Sequence, residues 1–357
     1  MGELIPSSYD KQVDMSRGQE NVKQQDPIGS VTPESIRKIA YDFQSSRVLL
    51  TAYELGVFTA LGSLQRTSAE VAIETGTDAR AIDRLMNALV AMGLVTKHEA
   101  KFANTDSSQR FLVRGQQGYI AGLMHTVNLW DTWSTLTAAV RKGTVVAHRE
   151  TNERGENWLT AFIAAMHDRA SKQAPGCVAR LDLSGVSRVL DVGGGSGAYS
   201  MAFVRARKGI TATVFDLPNV VPLTGQYVEK EGLTGKVTTS VGDYNHDGLG
   251  EGYDLVFLSA IIHSNSPEEN RTLIAKCAQA LNTGGQVVVQ DFIMDEDRTS
   301  PLHGALFALN MLVGTSAGDT YTESEVREWM TGAGLTRIMR NETGFGTTQI
   351  VGRKASS

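Results

Sequence analysis

Residues 189–198, VLDVGGGSGA, constrain the fold of this chain more than any other segment. An apolar run (Val189, Leu190, Val192) carrying one acid, Asp191, breaks into Gly193, Gly194, Gly195, Ser196 and Gly197; the residues from Ala198 to Arg205 then suit a helix. A buried strand that ends in glycines and opens a helix is the ligand-cradling turn of nucleotide-binding α/β domains. Glycine permits the tight turn, and its missing Cβ lets a ligand lie against main-chain N–H groups. The run also satisfies the dinucleotide spacing at Gly193, Gly195 and Ala198, so alone it does not separate a nicotinamide cofactor from other adenosine ligands.

The strands that follow place polar groups at matching ends. Residues 211–215 lead to Asp216, where an acid can accept from both ribose hydroxyls of an adenosine. Residues 236–241 lead to Gly242-Asp243-Tyr244, residues 253–258 to Ser259 and then His263, and residues 286–290 to Asp291. Ligands of open parallel sheets bind at these carboxyl edges. After a helix at 322–330, two β-like segments, 337–341 and 347–353, are joined by a link too short for a helical crossover, so they pair antiparallel. A dehydrogenase would need a further substrate domain with its own base, for which this arrangement leaves no room.

The first half of the chain reads differently. Thr32-Pro33 marks a helix start, Thr67 and Glu70 form a capping box for a helix at 68–74, and Asp78 opens another with the stripe Ile82, Leu85, Met86, Leu89 and Met92. Residues 95–97 and 101–103 then make a two-stranded wing. A winged helix invites a DNA-binding reading, but Asp78, Arg80, Asp83 and Arg84 cancel, whereas phosphate contacts need clustered Lys and Arg. The formal charge of −5 also argues against a nucleic-acid partner. Two helical segments, about 117–142 and 156–174, carry Met124, His125, Trp130, Trp133, Phe162, Met166 and His167, which serve either core or pocket. With 41% hydrophobic and 20% charged residues the 357-residue chain suits two globular domains. Cys177 and Cys277 show neither metal nor disulfide spacing. No apolar run is long enough to cross a membrane, and a polar leader lacks a signal-peptide core, so a cytoplasmic protein without membrane contact or metal is expected.

The whole order of features resembles the small-molecule O-methyltransferases of the caffeate and hydroxyneurosporene type, a branch of the class I S-adenosylmethionine (SAM)-dependent enzymes. The motifs are ELGVF at 54–58, the glycine run, FDLP at 215–218, GDY at 242–244, His263, NMLVGT at 310–315 and TESE at 322–325. The resemblance implies a Rossmann-like α/β sheet, mostly parallel with one antiparallel strand, preceded by a helical winged-helix dimerisation domain. It implies a leader at 1–30, the dimerisation domain at 31–115, pocket helices at 116–180 and the SAM domain at 181–357, assembled as a homodimer. Gly193, Gly194 and Gly195 would cradle the methionine part of SAM, Asp216 the ribose and Leu217 the adenine flank. Asp243 would accept from the adenine amino group beside Tyr244, and Ser259 would line the same pocket. His263 stands at the general-base position with Asp291 to steady it. Met124, His125, Phe162, Met166, Asn310 and Met311 are the pocket candidates for a small-molecule acceptor.

Two departures from the family pattern stand out. His263 is followed by Ser264-Asn265 in place of Asp-Trp, which removes an aromatic wall, and Ser266, Pro267 and Glu269 there read as a helix start. A second carboxylate position is Thr320, with Asp319 beside it as a substitute. A SAM-dependent hydroxylase or decarboxylase on the same fold, and a non-catalytic SAM-sensing regulator, are the alternatives.

Overall fold

A computed structural model of the chain describes residues 31–146 and 155–355; the leader expected at 1–30 lies outside them. The chain divides into two compact units at Arg47/Val48, inside the first helix, α1 (Pro33–Glu54). In the first unit α1 exposes Ile36, Ile39, Tyr41 and Phe43.

The second unit opens with the end of α1, then α2 (Val57–Leu61), β1 (Arg66–Thr67), α3 (Ser68–Thr75), α4 (Ala79–Ala91), β2 (Val95–His98), β3 (Lys101–Asn104) and α5 (Asp106–Phe111). The Thr67–Glu70 capping box forms in both directions, and Asp78 accepts from the Arg80 and Ala81 amides at the start of α4. Ile82, Met86 and Leu89 bury one stripe of α4 against Phe58, Leu61, Val71 and Phe102. The wing is a small antiparallel sheet of order β1-β3-β2, one short strand more than the sequence suggests.

Three helices follow: α6 (Leu123–Trp133), α7 (Leu136–Lys142) and α8 (Glu156–Val178). The helix expected over 117–142 is therefore broken. Ser134 and Thr135 hydroxyls bond back to the Trp130 and Thr132 carbonyls, offering the backbone an alternative to the helical ladder. Conversely α8 runs past Pro175, because Ala174, Cys177 and Val178 are buried and keep the last turn in place.

The remainder is β4 (Arg188–Val192), α9 (Ala198–Ala206), β5 (Thr211–Asp216), α10 (Val221–Lys230), β6 (Val237–Val241) and β7 (Tyr253–Ser259), a 3-10 turn (Ile262–Ser264), then α11 (Pro267–Ala280) and β8 (Leu281–Asp291). It closes with β9 (Ile293–Met294), α12 (Leu302–Gly314), β10 (Tyr321–Thr322), α13 (Glu323–Gly332), β11 (Leu335–Glu342) and β12 (Thr348–Lys354). The seven-stranded sheet has the order β11-β12-β8-β7-β4-β5-β6. Its strands are parallel except β12, which runs antiparallel to both neighbours, as the short link predicts. Alternate residues feed two cores: Leu190, Val256, Val287 and Ile350 pack with α11 and α13, whereas Val189, Leu255, Val288 and Val351 pack with α8 and α9. The strand order reverses between β4 and β7, which opens a crevice at their carboxyl ends.

Candidate active site

The glycine turn sits at that crevice. Gly193 and Gly195 take left-handed backbone angles, φ 64° and 56°, a region that side chains with a Cβ rarely enter. A Cβ on Gly193 would run into Ile261, and one on Gly194 would lie 2.7 Å from the Asp191 carboxylate. Asp191 is buried beneath the turn, where the Ser200 hydroxyl donates to it at 2.8 Å. Burial pushes its carboxyl up to about 7. At the end of β5, Asp216 accepts from the Gly195 and Leu217 amides, each at 2.8 Å. Burial raises its carboxyl above the usual range, with the two amides opposing the rise. Each oxygen keeps a lone pair for a further donor.

Beside the turn, His167 of α8 stacks on Tyr227 at 4.0 Å and its Nδ1 lies 2.9 Å from the Ser196 hydroxyl. Burial holds this imidazole below its ordinary value. Asp243 closes a turn, accepting from the Asn245 amide at 2.9 Å and pairing with His246 Nδ1 at 2.8 Å. Tyr244 is pushed up by burial and its hydroxyl reaches Asn265 at 3.4 Å. Ser259 accepts from Gln290 Nε2 at 3.1 Å, and the same amide donates to the Tyr199 hydroxyl at 2.6 Å. Burial pushes Tyr199 up to about 12.

His263 and Asp291, separated in sequence, meet across the ends of neighbouring β7 and β8. His263 Nδ1 lies 2.8 and 3.0 Å from the two Asp291 oxygens, and both residues are buried. The Phe292 amide donates to Asp291 Oδ1 at 2.8 Å, fixing the carboxylate. With the Nδ1 hydrogen directed at Asp291, Nε2 is left as the acceptor of the ring. Ala260, just upstream, holds φ 57°, an uncommon conformation for a residue with a Cβ at the end of a strand. Phe307 of α12 lies edge-on to His263 at 4.8 Å and packs on Phe292 at 4.7 Å.

Among the pocket candidates, His125 and Phe162 meet edge to face at 5.3 Å, and Trp158 stacks on Phe162 at 5.2 Å. Phe162 also packs with Leu217 around Leu159, Ile163 and Val220. Asn310 is engaged: its Oδ1 accepts from Trp133 Nε1 at 2.8 Å, tying α12 to α6. Met311 is buried and Met166 half-buried, while Met124 packs against the winged-helix core. Two of the altered positions have partners of their own. Asp319 pairs with Arg298 at 3.2 Å and accepts from the Thr320 amide at 2.7 Å. Asn265 does more than vacate a wall position. It is buried, donating to Asn270 at 3.2 Å, while Asn270 donates to the Ile262 carbonyl and so supports the His263 turn. Asp191, Gln290, Phe292 and Phe307 were not read as site residues. An acid inside an apolar strand, and a glutamine in the otherwise apolar run VVVQ, were the available signals.

A groove of about 1080 Å³ along α8 and α9 is lined by residues such as His167, Ser171, Leu181, Ala198, Met201 and Arg205. Among the described residues no cluster of three metal-ligating side chains occurs, and no helix is long and apolar enough to cross a membrane.

Known proteins share this architecture. An O-methyltransferase domain family matches residues 133–336, and an O-methyltransferase dimerisation domain matches residues 38–114. The 3-hydroxy-5-methyl-1-naphthoate 3-O-methyltransferase of Streptomyces sahachiroi is 33% identical over 319 residues, covering 87% of this chain and 92% of its own length. The tetracenomycin polyketide synthesis 8-O-methyl transferase TcmO of Streptomyces glaucescens is 30% identical over 329 residues, 90% and 97% of the two chains. The crystal structure of human N-acetylserotonin methyltransferase in complex with SAM superposes with a TM-score of 0.80 at 26% identity, covering 92% of this chain and 99% of that one.

Proposed function

This chain belongs to the O-methyltransferase family, a SAM-dependent class acting on small molecules, and on that premise we propose that it methylates a phenolic or enolic hydroxyl with His263 as general base. The observation that carries the proposal is the buried His263–Asp291 pair at the carboxyl edge of β7 and β8. SAM supplies a methyl group on a positively charged sulfur, which leaves with the electron pair of the broken C–S bond when the acceptor oxygen attacks. The cradle fits such a ligand: a turn where Gly193 and Gly194 leave no room for a Cβ, backed by an acid with lone pairs to spare. Gly193, Gly194 and Gly195 would hold the amino-acid end, Asp216 the ribose hydroxyls, Leu217, Asp243 and Tyr244 the adenine, with Ser259 in the wall. Met124, His125, Phe162, Met166, Asn310 and Met311 remain the acceptor-side assignment, with Phe307 and Phe292 added beside His263.

The base has a defined task. A phenol is a far weaker acid than an imidazolium, so full proton transfer ahead of methyl transfer would be uphill. Asp291 lessens that cost by stabilising the imidazolium, and Nε2 takes the proton as the oxygen forms its bond to the methyl carbon. Alignment supplies the rest, worth roughly 7–11 kcal/mol when the reactants are held in line. The hydroxylase and decarboxylase alternatives drew on the altered residues after His263. Asn265 is spent on the turn and the base pair is kept, which favours base-assisted transfer.

His263→Ala is expected to leave SAM affinity near wild type while lowering turnover of a simple phenol by roughly 10²–10⁴-fold. Asp291→Asn should lose less, since it removes only charge support. Near-normal turnover in His263→Ala would return the histidine to a packing role. We assign residues 31–115 to dimerisation, 116–180 to pocket helices and 181–357 to SAM binding. The matched dimerisation domain supports a homodimer.

A further inference from the structure

The aromatic wall beside the base carries a positive charge at its edge. Phe307 lies against His263, Phe292 lies against Phe307, and the Arg169 guanidinium of α8 sits over the Phe292 ring, 5.2 Å from its centroid. His303 of α12 meets the same ring edge-on at 4.8 Å. Both Arg169 and His303 are exposed, so solvent and ligand can reach them. Arg169 forms no hydrogen bond or ion pair among the described residues, and the neighbouring Asp168 is taken by Lys172 at 2.7 Å. The other arginines of this region, by contrast, are engaged: Arg298 by Asp319 and Glu325, and Arg180 by the Thr343 carbonyl. A contact between charge and ring face leaves the five guanidinium donors free.

Building on the methyltransferase reading, we propose that the acceptor is an aromatic hydroxy acid whose carboxylate is received by Arg169, with His303 beside it, while its hydroxyl faces His263. A planar ring system laid against the half-buried Phe307 puts one end at the base and the other toward the guanidinium that caps the buried Phe292. The fork of an arginine matches a carboxylate with two parallel hydrogen bonds, which a lysine does not reproduce. Arg169 is thus a specificity-determining residue: it selects the acceptor and takes no part in the bond changes.

The test uses the full chain saturated with S-adenosylhomocysteine, titrated by calorimetry with a matched pair, 3-hydroxy-1-naphthoate and 2-naphthol. Wild type should prefer the acid by about 10–100-fold, the scale of a charge-assisted bidentate contact. In Arg169→Met that preference should fall to near one, and Arg169→Lys should retain part of it. The affinity for S-adenosylhomocysteine and the melting temperature of each variant report whether the fold and cofactor site are intact. Equal binding of acid and naphthol by wild type, failure to bind the acid, or a preference that survives in Arg169→Met each overturns the proposal. If S-adenosylhomocysteine binds in those cases, the methyltransferase reading stands and only the carboxylate assignment falls. If it does not bind, both fall.

Discussion

Asp191 and Asp216 stand on adjacent strands under one glycine turn, yet only one of them was legible as a site residue. Asp216 ends its strand, where an acid has a ligand or a turn to serve. Asp191 sits inside a strand whose neighbours are all apolar, and its use depends on Ser200, which no local pattern announces. Because burial lifts Asp191 to about 7 from an ordinary 3.8, the folded chain binds more protons than the unfolded one between those values. Stability therefore falls as pH rises through that window, by roughly 4 kcal/mol at most. Asp191→Asn should flatten this part of the pH–melting-temperature curve, measured without ligand. An unchanged slope would assign the effect to another group. Asp216→Ala removes an acceptor from two amides and, in the proposed assignment, from the ribose, so calorimetry should show SAM affinity lowered at least tenfold. Wild-type affinity in that variant would remove Asp216 from the cofactor site.

At the scale of elements, amphipathic periodicity located the strands and most helices, whereas side-chain bonding decided where the helices between the two halves begin and end. The break between α6 and α7 comes from two hydroxyl groups bonding back to carbonyls, a choice the apolar stripe does not reveal. Helix α12 was read only as a motif; its apolar residues lie on too many faces for a single stripe to appear. Yet α12 supplies Phe307 to His263 and Asn310 to Trp133. Asn310→Ala leaves the Trp133 N–H without its acceptor and should destabilise the chain by about 1 kcal/mol. If the α6–α12 tie shapes the acceptor side, KM for the acceptor should rise several-fold with KM for SAM unmoved. Parallel changes in both constants would mean that the tie supports the fold as a whole.

For the whole molecule, the carboxyl-edge acids and the short link before β12 made the sheet readable, and the assembly follows from a surface rather than a core. Ile36, Ile39 and Phe43 recur at helical spacing on α1 and are exposed among the described residues. Light scattering at micromolar concentration should give a dimer for the wild type and a monomer for the Ile39→Glu, Phe43→Glu double variant. A monomeric wild type would contradict the assignment, and a dimeric variant would place the contact elsewhere. The sheet carries a further consequence, for how the chain is made. β12 lies between β8 and β11, and Gln349 on it donates to Gln290 of β8 and to the Cys177 carbonyl. During synthesis every other strand of this sheet leaves the ribosome before β12 does. Until β12 arrives, β8 presents an open row of unpaired amides and carbonyls, flanked by Val287, Val288 and Val289, the kind of edge that other chains adhere to. The nascent protein is thus most vulnerable to aggregation just before its final strand emerges, and a nonsense mutation in that last stretch would make the vulnerability permanent.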